Sequence, residues 1–380
     1  MSIERLQTKD YDELISLLNT VFTRQNGKQM DFERDLPKLC VRDDQHMGCH
    51  FGLREEGKLV AAIGVYPLET VIAGETLRFS TTGNIVTHWD YEGKGYMSRL
   101  LQRAMQELED LNVDASRLAG LRRRYNRYGF EACGQIYSFT FRAGGALAPG
   151  GFGEEGVEFS PVTAEDPQAL AFCLRLHNQN AIAVPRPTET FLPTALAWRN
   201  QRFLARKNGT PIGYLCTIPS QGEIAEHFAV DAAADLAMLS AWQKKTGTPL
   251  NVPVQPHQIE TLRRLSALAD GMQIRTPCHF KLRRWERVAG ALLRLKNQTT
   301  ALPKGEILLG VENYGTLRLF VTETEAGCEL TSRPAPVTLP PLEAARYLFG
   351  PTPPELLAPF DPLAKAWLPM PLSWNGQDRV

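Results

Sequence analysis

The period of apolar and polar positions changes several times along the chain, and each change marks an element. HFGLRE (50–55) alternates, EEGK turns, and LVAAIGV follows, so a strand–turn–strand unit is expected. RFSTTGNIVTH (78–88) is rich in β-branched residues and reads as a further strand. After the intervening Trp89-Asp-Tyr-Glu-Gly93-Lys94-Gly95-Tyr96, residues Met97, Leu100, Leu101, Ala104, Met105 and Leu108 fall on one face of a helix. Toward the C-terminus RWERVAGALLRLK is helical in pattern. GEILLGVEN, GTLRLFVTE and GCELTSR then predict three strands of a meander, and LEAARYLFG and PPELLAPF predict short helices.

Two stretches echo one another. IERLQTKDYDEL (3–14) resembles VEFSPVTAEDPQAL (157–170), and Phe51–Gly57 followed by KLVAAIGV resembles Phe203–Gly209 followed by TPIGYLCT. Between the halves, residues 143–156 are too rich in glycine for regular structure and read as a linker. The composition changes again after CHFKL (278–282). A mixed α/β (α+β) chain of three units is expected, spanning residues 1–145, 157–283 and 284–380.

Composition narrows the function mainly by exclusion. The 42 basic residues match the 42 acidic ones, so no overall field favours nucleic acid or an anionic membrane surface. No apolar run reaches bilayer length, and the acidic opening MSIERLQTKDYDELISLL is unlike a secretory signal, so a cytoplasmic location is expected. The seven cysteines form no CxxC pair and read as reduced core residues. His46-Met-Gly-Cys49-His50 has ligand spacing, but the alternation that follows favours a strand, and no metal is expected.

The chemistry concentrates in residues 79–131. A glycine loop between a strand and a helix N-terminus leaves several backbone N–H groups unpaired beside the positive end of the helix dipole, which suits a pyrophosphate. Glycine at Gly93 and Gly95 lets phosphate approach those amides. An acidic loop, a short strand around Ser116–Leu121 and then Arg122-Arg-Arg-Tyr125-Asn-Arg-Tyr128-Gly129-Phe130 complete the stretch.

This order resembles the acyl-CoA-binding half of the GNAT acetyltransferase superfamily, whose loop reads R/Q-x-x-G-x-G/A. The matching positions are Glu92, Gly93, Lys94, Gly95, Tyr96 and Met97; Glu92 departs from the usual arginine or glutamine, and Met97 from the final small residue. A carboxylate at position 92 repels pyrophosphate unless it points away or pairs with Lys94 or an arginine. The whole layout, with IVTHWDYEGKGYMSRLL, RRRYNRYGFEACG, FKLRRWERV and the ending WLPMPLSWNGQDRV, is similar to the enhanced-intracellular-survival family. That family combines tandem GNAT folds with a sterol-carrier-protein-like C-terminal domain, and large aliphatic residues occur there at the Met97 position.

The resemblance implies an acetyl-CoA-dependent N-acetyltransferase acting on a primary amine of a small molecule or lysine side chain. It implies acetyl-CoA contacts at Ile85, Val86, Thr87, Glu92, Gly93, Lys94, Gly95, Tyr96 and Met97, Tyr125 as general acid, and the terminal carboxylate of Val380 as base or orienter. It also implies a homo-oligomer, a hexamer. A phenol of pKa about 10 can supply a proton to a thiolate of pKa about 8.5 as the thioester breaks. An α-carboxyl of pKa about 3.5 is too weak a base to act without a water or an electrostatic role. His88 is either a base beside the loop or a core residue, and the Arg122–Arg127 run is either a solvated face or a contact for the CoA 3′-phosphate. The rival reading is a non-catalytic CoA- or ligand-binding protein with a degenerate pyrophosphate loop.

Overall fold

The computed structural model describes residues 2–147, 150–218 and 222–378. Its architecture is mixed α/β. In chain order the first strands are β1 (Ile3–Arg5), β2 (His50–Glu55), β3 (Lys58–Ile72), β4 (Glu75–Thr87), β5 (Ala115–Leu118), β6 (Glu131–Cys133) and β7 (Ile136–Phe141). They are followed by β8 (Val157–Pro161), β9 (Ile182–Ala183), β10 (Gln201–Lys207), β11 (Thr210–Thr217), β12 (Ile224–Ala229), β13 (Leu250–Val254), β14 (Gly271–Arg275) and β15 (Cys278–Leu282).

The first sheet runs β1-β2-β3-β4-β5-β15-β6, with β9 beside β3. Helix Tyr11–Asn26 covers one face, where Leu14, Leu18 and Val21 meet Leu59, Ala62 and Val86. Helix Tyr96–Asp110 covers the other, where Leu100, Leu101, Ala104 and Leu108 meet Val60, Ile63 and Val65. The apolar stripe read from the sequence is therefore the buried stripe of that helix.

The sequence echo has a structural counterpart. The order β12-β11-β10-β8 retraces β4-β3-β2-β1 with the same antiparallel pairings. Both hairpins turn on two residues of positive φ, Glu56-Gly57 (51°, 81°) and Asn208-Gly209 (49°, 83°), as a tight hairpin of matching twist requires. Both bulge at the same place, between Leu53 and Arg54 and between Ala205 and Arg206.

Two strands cross the break expected after residue 145, whereas no strand pairing crosses the one expected at 283. β7 pairs with β13 and β14, inside the second unit. β15, from the end of that unit, lies between β5 and β6 in the first sheet. The glycine-rich stretch between them is turns and irregular backbone where described, and the Glu154 carboxylate ties it to Lys244 (2.5 Å) and to the Gly151 and Phe152 amides.

The C-terminal unit contains β16 (Gly305–Val311), β17 (Gly315–Val321), β18 (Ala326–Thr331) and β19 (Val337–Leu339), in the order β18-β17-β16-β19. The three-residue strand β19, parallel to β16, was too short to show in the hydropathy pattern. Helix Trp285–Thr300 shares one core with this sheet and with Leu77, Phe79 and Phe280 of the first. Trp374 stacks on Phe79 with ring centroids 5.5 Å apart, so the chain's last described turn is anchored in that core. No helix among the described residues is long and apolar enough to cross a membrane.

In the second unit, buried His227 sits between the Asp235 carboxylate (Nδ1 to Oδ1, 2.8 Å) and the Pro253 carbonyl (Nε2 to O, 2.8 Å). Both partners are acceptors, so the ring is fully bonded only as imidazolium. Burial alone lowers its pKa, but the charge and hydrogen bond of Asp235 raise it overall above the ordinary 6.5. The stabilisation is fully present below the unfolded value and is lost as pH rises through the raised folded value. Thermal unfolding should therefore show a loss of stability as pH rises above about 6.5 that His227→Gln flattens. Parallel profiles for the two proteins would contradict this.

Candidate active site

β4 and β5 run parallel and pair only from Phe79–Ala115 to Thr81–Arg117. Beyond that point β4 continues to Thr87 without β5 beside it, so the two strands part. A bulge widens the opening: Ala62 pairs with Val86 but Gly64 with Gly83, leaving Asn84 and Ile85 opposite the single Ile63. Gly83 inside an otherwise regular strand was the sequence signal for it. The cavity here is about 750 Å³ and is lined by Thr81–Ile85, Arg117–Leu121 and Tyr125, with Trp198 from the second unit.

Tyr125 ends the four-residue helix Arg122–Tyr125 and is 4 % exposed. Its ring lies against Gly120, where a Cβ would come within 2.6 Å of it. Burial pushes its pKa up, opposed by neighbouring Arg124, so the phenol is protonated at neutral pH and able to donate. Behind Asn84 lies a buried relay. Neutral His50, its pKa lowered to about 4 by burial, pairs through Nε2 with the Tyr66 hydroxyl (2.7 Å), which accepts from Asn84 Nδ2 (2.7 Å). His50 Nδ1 faces the His46 carbonyl (3.2 Å) and His46 pairs with Asp43, so the HMGCH stretch is occupied with internal contacts. No cluster of potential metal ligands occurs among the described residues.

The loop after β4 has the geometry a pyrophosphate needs. Gly93 and Gly95 both have φ 78°, and a Cβ at either would meet nothing within 4 Å, so the backbone is open on that side. Gly95 is the N-cap of helix Tyr96–Asp110 and supplies no side-chain bond to its amides. The equivalent helix of the second unit, Ala232–Thr246, is instead capped by Asp231, whose carboxylate accepts from Ala234 N (2.7 Å) and occupies the position an anion would take.

The remaining loop residues take separate tasks. Lys94 is bound by Glu55 (2.7 Å) and not by Glu92, and the Tyr96 hydroxyl donates to the same Glu55 carboxylate. Glu92 is exposed and has no ion pair among the described residues. Met97 packs half-buried on the helix's inner face; Val86 and Thr87 pair with Ala62 and Ala61, and Ile85 lines the cavity. His88 stacks on Trp89 (3.9 Å) and caps the short turn that follows it. Arg122 is held by buried Glu131 (2.6 and 2.8 Å), which removes it from the basic face; Tyr128 packs.

The chain's end approaches this cavity, a contact no local pattern could reveal. The Arg117 guanidinium donates to the Asp378 carbonyl, lies 3.9 Å from the Trp374 ring centre, and reaches Thr81 through Nε (2.8 Å). Lys38 donates to the Gln377 carbonyl (2.5 Å), and Arg186 holds the Asp378 carboxylate (2.8 and 3.0 Å). Arg186 also forks onto buried Glu226 (3.0 and 2.6 Å), which accepts in addition from Arg202 (3.0 Å) and Tyr214 (2.9 Å). Burial pushes the Glu226 carboxyl up, but the two guanidinium charges reverse this and hold it well below the usual carboxylate range. Val380 lies outside the described residues.

Residues 2–133 match the family described as acetyltransferase (GNAT) domain. No curated protein matches the chain significantly. Among solved structures, Eis1 from Mycobacterium abscessus is similar over 99 % of this chain and 98 % of its own, with TM-score 0.68 and 12 % identity. A GCN5-related N-acetyltransferase from Anabaena variabilis covers 98 % of each chain (TM-score 0.65, 15 % identity). One from Kribbella flavida covers 90 % of this chain and 88 % of its own (TM-score 0.63, 18 % identity). At such identities these likenesses show the fold alone, an architecture shared along nearly the whole chain, with the family match confined to its N-terminal third.

Proposed function

We propose that the protein is an acetyl-CoA-dependent N-acetyltransferase that acetylates a primary amine of a small molecule or lysine side chain. The observation that carries this reading is the cavity where β4 and β5 part, lined by a buried, protonated Tyr125. The uncapped Gly93–Gly95 turn supports it by suiting the CoA pyrophosphate, with Lys94, Tyr96 and Met97 shaping the turn and Ile85, Val86 and Thr87 flanking the acyl arm. Acetyl-CoA supplies an activated thioester carbonyl. The amine nitrogen forms the new C–N bond, the C–S bond breaks, and the departing sulfur takes its proton from the Tyr125 hydroxyl. The ammonium proton lost on attack passes to solvent or to a carboxylate; the resemblance assigns that task to Val380. A cytoplasmic, hexameric enzyme with a sterol-carrier-like third domain completes the proposal.

Calorimetry with acetyl-CoA, followed by turnover across an amine panel, tests it. No binding at millimolar cofactor would sink the enzyme reading. The exposed, unpaired Glu92 favours the second reading, a CoA-binding protein without turnover, and binding without acetyl transfer would establish that instead. Because Glu92 has no cation of its own among the described residues, Glu92→Gln should tighten acetyl-CoA about two- to fivefold, the scale of one screened surface charge. Unchanged affinity would mean the carboxylate points away from the phosphates.

A further inference from the structure

A second cavity of about 510 Å³ adjoins the first, since Ala119 and Trp198 line both. Its buried charges are already committed. Glu226 is held by its two arginines and Tyr214, and His227 lies between Asp235 and Pro253. Arg275 connects through Ser138 (3.2 Å) and Asn251 (2.5 Å) to Glu223 (2.8 Å), so these two charges belong to one chain of hydrogen bonds.

The polar atoms left without partners are uncharged. Gln377 is 1 % exposed and neither end of its amide is bonded; Trp374 Nε1 (2 % exposed) and Gln255 Nε2 (6 % exposed) are also unbonded. All three residues line the cavity. Buried groups of this kind are costly unless something bonds them, and here they supply mostly donors, with Gln377 Oε1 as the acceptor. Ile136, Ile224 and Phe228 give the wall its apolar part, beside the amides of Asn200, Gln258 and Asn375.

We infer that this cavity is the subsite for the body of the acceptor, and that the acceptor is a primary amine carrying an uncharged amide on an apolar frame. An amide fits because its carbonyl accepts from Gln255 and Trp374 while its N–H meets Gln377 Oε1. A polyamine fits less well, because Glu226 is already held by two arginines and the lining carboxylate without an ion pair among the described residues, Glu223, is exposed to solvent. The assignment as an acceptor site rests on the acetyltransferase reading; the binding chemistry does not.

Calorimetric titration with L-phenylalaninamide and with spermidine as probes separates the two. The unaltered protein should bind L-phenylalaninamide the more tightly. Gln377→Leu and Trp374→Phe should each weaken L-phenylalaninamide about tenfold more than spermidine, the effect of one buried hydrogen bond. Tighter binding of spermidine, or equal weakening of both probes, would overturn the inference. Binding of L-phenylalaninamide without acetyl transfer to it would sink the enzyme reading and leave the subsite standing. Acetyl transfer to spermidine with no binding of L-phenylalaninamide would do the reverse.

Discussion

Tyr125→Phe should lower kcat about 10²- to 10³-fold, the usual worth of a positioned proton donor, while the dissociation constant for acetyl-CoA stays within about twofold. The substitution removes the hydroxyl alone. The ring remains clamped against Gly120, where no side chain intervenes, so packing around the cavity is preserved. The native phenol's raised pKa keeps it protonated throughout the neutral range, so kcat should show no limb from its ionisation below about pH 10. Steady-state kinetics with calorimetry separates the two parameters. An unchanged kcat would reduce Tyr125 to a packing residue and leave the proton for sulfur to come from solvent.

Arg186→Leu should destabilise the protein by about 3–5 kcal/mol, the cost of stranding a buried charge when its partner is removed. Arg186 is almost wholly buried and is the only residue among those described that bonds both Glu226 and Asp378. Arg202 and Tyr214 would remain on Glu226, so the lower end of the range is expected if they compensate. The double variant Arg186→Leu with Glu226→Leu should recover part of the loss, because Glu226 is then no longer stranded, while Asp378 still lacks its guanidinium and Arg202 loses its carboxylate. Denaturant unfolding gives both values. A single variant within about 1 kcal/mol of the native protein would mean water reaches the cluster and solvates it. Since Arg186 also holds Asp378, the same variant should loosen the tail and lower acetyl transfer beyond any effect on stability.

Where the chain signals its structure locally, the sequence is legible. β4 and the helix Tyr96–Asp110 show because one has β-branched residues and the other a 3.6-residue stripe, and the turn between them shows because Gly93 and Gly95 must take positive φ. The paired hairpins show because the echo preserves the turn glycine at Gly57 and Gly209. What stays hidden are relations between distant points. Nothing local in CHFKL says that it inserts between β5 and β6, whose paired residues lie roughly 145 to 167 positions upstream. Arg186, Glu226 and Asp378 read as unremarkable polar residues until the fold brings them together. Lys94 is the clearest case within the site: adjacency suggests Glu92 as its partner, yet a neighbouring strand supplies Glu55 and leaves Glu92 unpaired. Trp198, at φ 59° where few side chains sit, borders both cavities and carries no pattern that marks it.

The crossing of β7 and β15 between units bears on how the chain can be made. A ribosome that has released residues up to Phe141 has exposed β5 and β6 with the strand that belongs between them still unsynthesised. The first sheet cannot close until Leu282 emerges, by which time β13 and β14 are available to take up β7. The first two units therefore reach their final form together, late in synthesis, and a nascent chain halted between them has unpaired strand edges for chaperones to cover.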